Sequence, residues 1–267
     1  MWLRKYLTVF KLSWERALEY RTNFIFGRIR DFILLTTFYF LWTTVFSGKA
    51  QLFGFNQDRI LTYIIGAQFL STFVLSYAMD YIADSIVSGS FSLLLVKPWG
   101  HPLLFYFVNR LAIRSLRLIS FLLEFAAFWF IFRPSFFQQT SFKFVAATLV
   151  ALVLTVLLFA LIDFIVGLSA FWTLHAYGPR FALKMALEFT SGRFFPLNIL
   201  PAFLFKLVNF LPFSFLVFFP LNVYLGRLTP PEVYRGLITQ IVWIAVLFVV
   251  LKIVWSRGLR RYEAVGG

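Results

Sequence analysis

The 267-residue chain has no cysteine, so disulfide staples and thiolate metal sites are excluded from the outset. Charge is sparse as well: Asp, Glu, Lys and Arg make up 13% of the residues, about half the ~25% usual in a soluble domain. Acidic side chains are the scarcest, 11 against 25 basic ones. No polar stretch is long enough to build a separate soluble domain with its own core. A phosphate-cradling loop is absent too. The pair Gly48 and Lys49 has Thr43 where such a loop needs its first glycine and Ala50 where it needs a hydroxyl. The chain is therefore expected to hydrolyse no ATP by itself.

What the chain has in abundance is apolar sequence: 61% hydrophobic residues and a mean hydropathy of +0.83. Residues 60–79 run for twenty positions without a charge, and about 20 apolar residues at 1.5 Å rise cross the hydrocarbon core. The pattern recurs, and we read the whole chain, 1–267, as one all-α integral membrane domain. The net charge of +14 does not indicate nucleic acid, because the basic residues are strewn between apolar runs with no soluble surface to gather them.

Residues 1–20 carry Arg4, Lys5, Lys11, Glu15, Arg16 and Glu19, where a secretory signal needs an unbroken apolar centre; no cleavage is expected. Leu3, Leu7, Phe10, Trp14 and Ala17 form one stripe and Arg4, Thr8, Lys11, Glu15 and Glu19 another, the pattern of an amphipathic helix lying in the membrane interface. Six spans are predicted. The first has its uncharged part at 32–48, followed by 60–79, 118–132, 144–172, 181–195 and 236–254. The stretch 80–117 is too charged for the bilayer and too short for a domain. Between spans five and six, Pro196, Pro201, Pro212 and Pro220 cut the apolar sequence, and each interior proline frees a backbone carbonyl that lipid cannot satisfy. A broken, re-entrant set of short helices over 196–226 is expected there. Segments 1–31, 80–117, 174–185 and 252–267 hold 17 of the 25 basic residues, which places both termini in the cytoplasm.

Candidate chemistry is thin. His101 and His175 fall on short turns without cysteine nearby, and capping or solvent exposure is the expected role. Glu124, Asp163 and Glu188 lie in or beside candidate spans, where an ionised side chain costs about 2.5–3.5 kcal/mol. Each should face a partner: Arg114 or Arg117 for Glu124, Arg180 or Lys184 for Asp163, Arg193 for Glu188. Structural pairing is the leading expectation, with a part in a conformational change behind it.

Two stretches resemble a known family. Ile86, Val87, Ser88, Gly89, Ser90 and Phe91, continuing through Leu93, Leu94 and Leu95 to Lys97 and Pro98, are similar to the segment after span two in permease subunits of type-2 ATP-binding-cassette (ABC) exporters, bacterial branch. Ser191 to Pro201, with Leu211, Pro212, Phe213 and the 220–226 run, resembles the fifth-span signature of the same family, and the closing 255–262 run resembles one branch of it. The resemblance implies a half-transporter of the bacterial inner membrane. Two permease copies, identical or homologous, would line the pathway, each seated on a separate ABC ATPase. No cofactor is expected on this chain, ATP-Mg belonging to the ATPase, and no nucleic acid. Segment 80–100 would hold the coupling helix, with Asp84, Ile86, Gly89, Phe91 and Leu94 at or near the ATPase. Phe194, Phe195, Pro196, Pro201 and Pro212 would form the gate and pathway. An ion-gradient-driven secondary transporter, and less so a membrane enzyme on lipid-linked substrates, are the alternatives. Purified alone in detergent, the chain is expected to show no nucleotide turnover above the background of a mock preparation; turnover that tracks the protein through gel filtration contradicts the reading.

Overall fold

In a computed structural model describing residues 2–19, 21–75, 77–96, 101–173 and 177–262, every regular element is helical. The amphipathic start is a helix of its own, α1 (Trp2–Glu19), ending before α2 (Arg21–Val45) begins. Its buried stripe carries Val9 and Ser13 and packs along α6 (Pro102–Phe132). The Trp14 indole donates to Ser115 Oγ at 2.8 Å, and Asn109 donates to Ser13 Oγ at 2.8 Å.

After α2, a tight turn with Gly48, Phe53 and Gly54 at positive φ leads to Asn56, which caps α3 (Gln57–Phe73) by accepting from the Arg59 amide. Here the structure departs from a continuous second span. The helix stops at Phe73 and resumes at Met79 as α4 (Met79–Val87), and α5 (Phe91–Val96) follows a turn at Gly89. The third span also starts earlier than expected. His101 Nδ1 accepts from the Leu103 amide, Pro102 takes the first helical position, and α6 runs unbroken through Arg110, Arg114 and Arg117. A proline there costs nothing, because that N–H has no intrahelical partner. The second half of 80–117 is thus helix, its arginines turned into the protein.

The fourth span was legible: α7 (Phe142–Leu168) continues through a 3-10 turn to Phe171. Next come α8 (Tyr177–Thr190) and then the proline-broken region, which holds a 3-10 turn at Leu197–Ile199, α9 (Ala202–Phe210), a 3-10 turn at Pro212–Phe215 and α10 (Phe218–Tyr224). The last helix, α11 (Pro230–Arg261), opens on a capping box in which Thr229 and Glu232 satisfy each other's end of the chain.

Among the described residues, three helices are long and apolar enough to cross a membrane: α6, α7 with its 3-10 turn, and α11. The shortfall elsewhere has plain causes. Arg28, Arg30 and Asp31 interrupt α2, the break shortens α3 to 17 residues, and α8 has 14. Large apolar side chains such as Leu123, Phe130, Phe142 and Val153 face outward, where lipid tails take the place of a core.

Two clusters form the interior. The larger joins α3, α7, α10 and α11, and the smaller joins α4, α5, the start of α6 and the C-terminal ends of α7 and α11. Gly167 sets the spacing in the second, since a Cβ there would lie 2.9 Å from Met79 Cα and 3.1 Å from Ile82 Cβ. Gly167→Leu should lower stability by about 2 kcal/mol or more, read as an earlier thermal unfolding midpoint in detergent. Gly178→Ala, whose added Cβ meets nothing within 4 Å, should leave that midpoint nearly unchanged.

Candidate functional site

Ending one helix at Phe73 and starting another at Met79 exposes carbonyls of the first and amides of the second, groups that must be satisfied away from water. Two buried charges meet that need. Arg114 Nη2 donates to the Val74 carbonyl at 3.1 Å; Asp163 accepts from the Ala78 amide at 2.5 Å and the Met79 amide at 3.3 Å. Each charge has the sign that the adjoining helix end favours, cation at the carbonyl end and anion at the amide end. Their exposures are 2% and 1%. Asp163 therefore does not pair with Arg180 or Lys184 as expected. Those side chains, one turn apart on α8, bond the acidic edge of α4: Lys184 to Asp80 at 3.0 Å and Arg180 to Asp84 at 3.0 Å.

Glu124 also has a different partner from either expected one. Arg28 Nη1 reaches it at 3.4 Å while Arg28 Nη2 holds Asp31 at 2.5 Å, and Arg30 reaches Asp31 at 2.9 Å. Neither Arg114 nor Arg117 reaches Glu124 within 4 Å, and Arg114 Nη2 bonds the Val74 carbonyl instead. Glu188 does pair with Arg193. Arg28 and Asp31 were not singled out from sequence, and Arg114 only as a partner for Glu124. A charged triplet in the first turns of an otherwise apolar helix was the signal for the first two.

The stretch expected to couple, α4 with α5, turns large apolar side chains inward. Ile86 is buried, and Phe91 is fully so, boxed by Phe171, Trp255 and Tyr262 at ring distances of 5.6, 5.9 and 5.7 Å. Gly89 sits at φ +75° with its carbonyl accepting from the Tyr262 hydroxyl at 2.9 Å, and the same hydroxyl accepts from the Ser92 amide at 3.2 Å. Leu94 is half-buried against the smaller cluster. The outward surface belongs to Asp84 and to Val87, Leu93, Leu95 and Val96, with Leu93 at 61% and Val96 at 86% exposure. Lys97, Pro98 and His175 lie outside the described residues. His101 lies tilted against Trp255 at 4.5 Å, and burial lowers its pKa, which favours the neutral imidazole whose Nδ1 caps α6. Among the described residues no three His, Asp or Glu converge as metal ligands.

In the proline region, Phe194 packs on Phe38 at 5.7 Å, Phe195 leans half-buried on the larger cluster, Pro196 and Pro212 are buried, and Pro201 is exposed ahead of α9. Two buried polar contacts pin it. The Tyr63 hydroxyl donates to the Gly192 carbonyl at 2.6 Å; Gln240 of α11 donates to Thr155 Oγ1 at 3.1 Å and the Phe215 carbonyl at 3.2 Å. Between α2, α3, α6 and α8 lies a cavity of about 600 Å³ lined by charged groups interleaved with Phe24, Leu34, Leu75 and Met185.

The region from the middle of α2 to the last residues matches a known family model: residues 32–266 fit that of the ABC-2 family transporter proteins. The chain belongs to this family. No curated protein matches it. The transporter is thus a multi-pass membrane component rather than an enzyme, of a family whose members work with an ABC ATPase. Only α1 and the first half of α2, where the Arg28, Arg30 and Asp31 triplet sits, precede the matched residues.

Removing the Asp163 carboxylate strands two buried amides. Asp163→Leu should cost about 2–3 kcal/mol and Asp163→Asn less, since one acceptor oxygen remains. Thermal unfolding in detergent should rank wild type above Asn and Asn above Leu.

Proposed function

We propose that the transporter is the permease half of an ATP-driven exporter, working as a pair of permease subunits on two ABC ATPases in the bacterial inner membrane. The six spans are α2, α3 with α4, α6, α7, α8 and α11; α1 lies in the cytoplasmic interface, both termini are cytoplasmic, and the 196–226 helices re-enter from the outer side as the gate. The observation that carries this reading is the coupling segment: a rigid piece locked by Phe91 and Tyr262 that still presents Leu93 and Val96 to the outside. Exposed apolar side chains beyond the membrane-crossing part of a chain suit a partner groove. Of the expected contact residues, Asp84 and Leu94 keep that role, while Ile86, Gly89 and Phe91 set the shape of the segment from within.

ATP acts on the permease only through contacts that differ between its inward and outward states. Docked on the ATPase, α5 and α4 move with it, and the break at 74–78 lets α4 turn beneath α3 without unwinding it. The Asp80 and Asp84 ladder to Arg180 and Lys184 carries the movement to α8, whose far end adjoins Phe194 and the proline region. Cargo enters the charged cavity from the inner side and leaves past the gate.

Co-expressed with its ABC ATPase, wild-type permease should co-purify with it and stimulate its ATP hydrolysis. The double substitution Leu93→Glu with Val96→Glu should abolish both, about a tenfold loss or greater in ATPase capture, while leaving the thermal unfolding midpoint of the permease alone in place. Undiminished capture and stimulation by a folded double variant would falsify the docking assignment.

A further inference from the structure

The charged cavity holds more cation than its acids can answer. Five basic side chains line it, Arg28, Arg30, Arg117, Lys184 and Arg193, against two carboxylates, Asp31 and Glu188. Both carboxylates already face arginines: Asp31 is held by Arg28 and Arg30, and Glu188 by Arg193 through Oε1, with Oε2 left without a partner. Arg28 has a second acid outside the lining in Glu124, and Lys184 has Asp80. Arg117 has none within 4 Å among the described residues. The charges that act on it are Arg28, Arg110 and Arg30, with Asp31 alone of opposite sign. One turn away on α6, Arg114 is nine-tenths buried and more, and two of its three guanidinium nitrogens have no partner. The Arg28 Nε, on the cavity wall, is likewise buried without an acceptor.

An arginine at this depth, repelled by its neighbours, costs free energy that the fold itself does not recover. An anion in the cavity would recover it. A guanidinium presents a planar fork that matches a phosphate oxygen pair, and the volume of about 600 Å³ lies in the range of small-ligand sites and far below what a folded polypeptide needs. Apolar side chains stand among these charges, Phe24, Leu34, Leu75 and Met185, with Arg28 5.7 Å from the Phe24 ring. A ligand that carries both a charged group and an apolar part finds partners for each in this lining.

From this we infer that the cavity is a cargo site for a phosphate-class anion, gripped by Arg117 with Arg28 and Lys184 beside it. The inference rests on the permease reading for the word cargo, but binding itself does not. The test is microscale thermophoresis of the full-length chain in neutral detergent, titrated with dioleoyl phosphatidic acid, with sn-glycerol 3-phosphate and with zwitterionic dioleoyl phosphatidylcholine. Phosphatidic acid should bind saturably and phosphatidylcholine at least tenfold more weakly. Arg117→Gln should weaken phosphatidic acid about tenfold, Arg117→Lys by less, and raised salt should weaken the wild type.

Glycerol 3-phosphate that binds with the same dependence on Arg117 assigns a water-soluble cargo; failure of the soluble phosphate to bind assigns a lipid-borne one. Either result supports the site. Equal affinity for phosphatidic acid and phosphatidylcholine overturns it, as does an affinity for phosphatidic acid that Arg117→Gln leaves unmoved. Should Arg117→Gln not fold, Lys184→Gln takes its place, with a loss of at least threefold expected and no loss counting against the site. A chain that binds the anion yet never stimulates an ATPase removes the transport reading and leaves the site; a chain that stimulates an ATPase but ignores the anion removes only the site.

Discussion

Lipid offers no hydrogen bonds, and that single fact governs the middle of this molecule. A helix interrupted at membrane depth must find donors and acceptors for its loose ends inside the protein. Arg114 and Asp163 supply them at the 74–78 break, one from α6 and one from α7. The placement of α4 follows from that arrangement. Asp163 fixes where α4 begins, Gly167 one turn further along α7 lets α4 lie close against it, and α4 in turn brings Asp80 and Asp84 under α8. Without the two charges the break would have no place in a bilayer, and without the break α4 would be a rigid extension of α3.

The division of the interior follows the same logic. Charges gather where the two interior clusters meet and around the inner turns of α2, α6 and α8, whereas the α3, α7, α10 and α11 contact relies on close packing with a few neutral hydrogen bonds such as those of Gln240 and Tyr63. Neutral polar knots lock the outer half at modest cost. Ion pairs, which are costlier to bury and change partners more readily, sit in the half proposed to move.

Much of the fold was legible in the residues. Long apolar runs marked α7 and α11, alternating stripes marked α1, and the prolines foretold a string of short helices over 196–226, because in each case local chemistry decides the outcome. The break at 74–78 was invisible for a physical reason. Hydropathy measures transfer into lipid, and this stretch is as apolar as its surroundings, with no proline or glycine to flag a lost hydrogen bond. The start of α6 was missed because its arginines were priced as if facing lipid, when they point into protein. Partners of buried charges were equally beyond reach except where they are neighbours in sequence: Glu188 and Arg193 were paired correctly five residues apart, while Glu124 and Asp163 were not. For the 80–100 stretch singled out by the family likeness, only the packing of Phe91 shows that its motif residues are the frame and its less conspicuous neighbours the surface.

The last helix joins distant parts of this scheme. Near its start α11 is knotted to the proline region through Gln240, and just past its end Tyr262 grips the backbone at Gly89. An unbroken helix of 32 residues is about 48 Å long and does not compress. In the proposed cycle it would serve as a pushrod, passing a displacement at its Tyr262 end to the proline region in the same stroke, by a route independent of the 74–78 break.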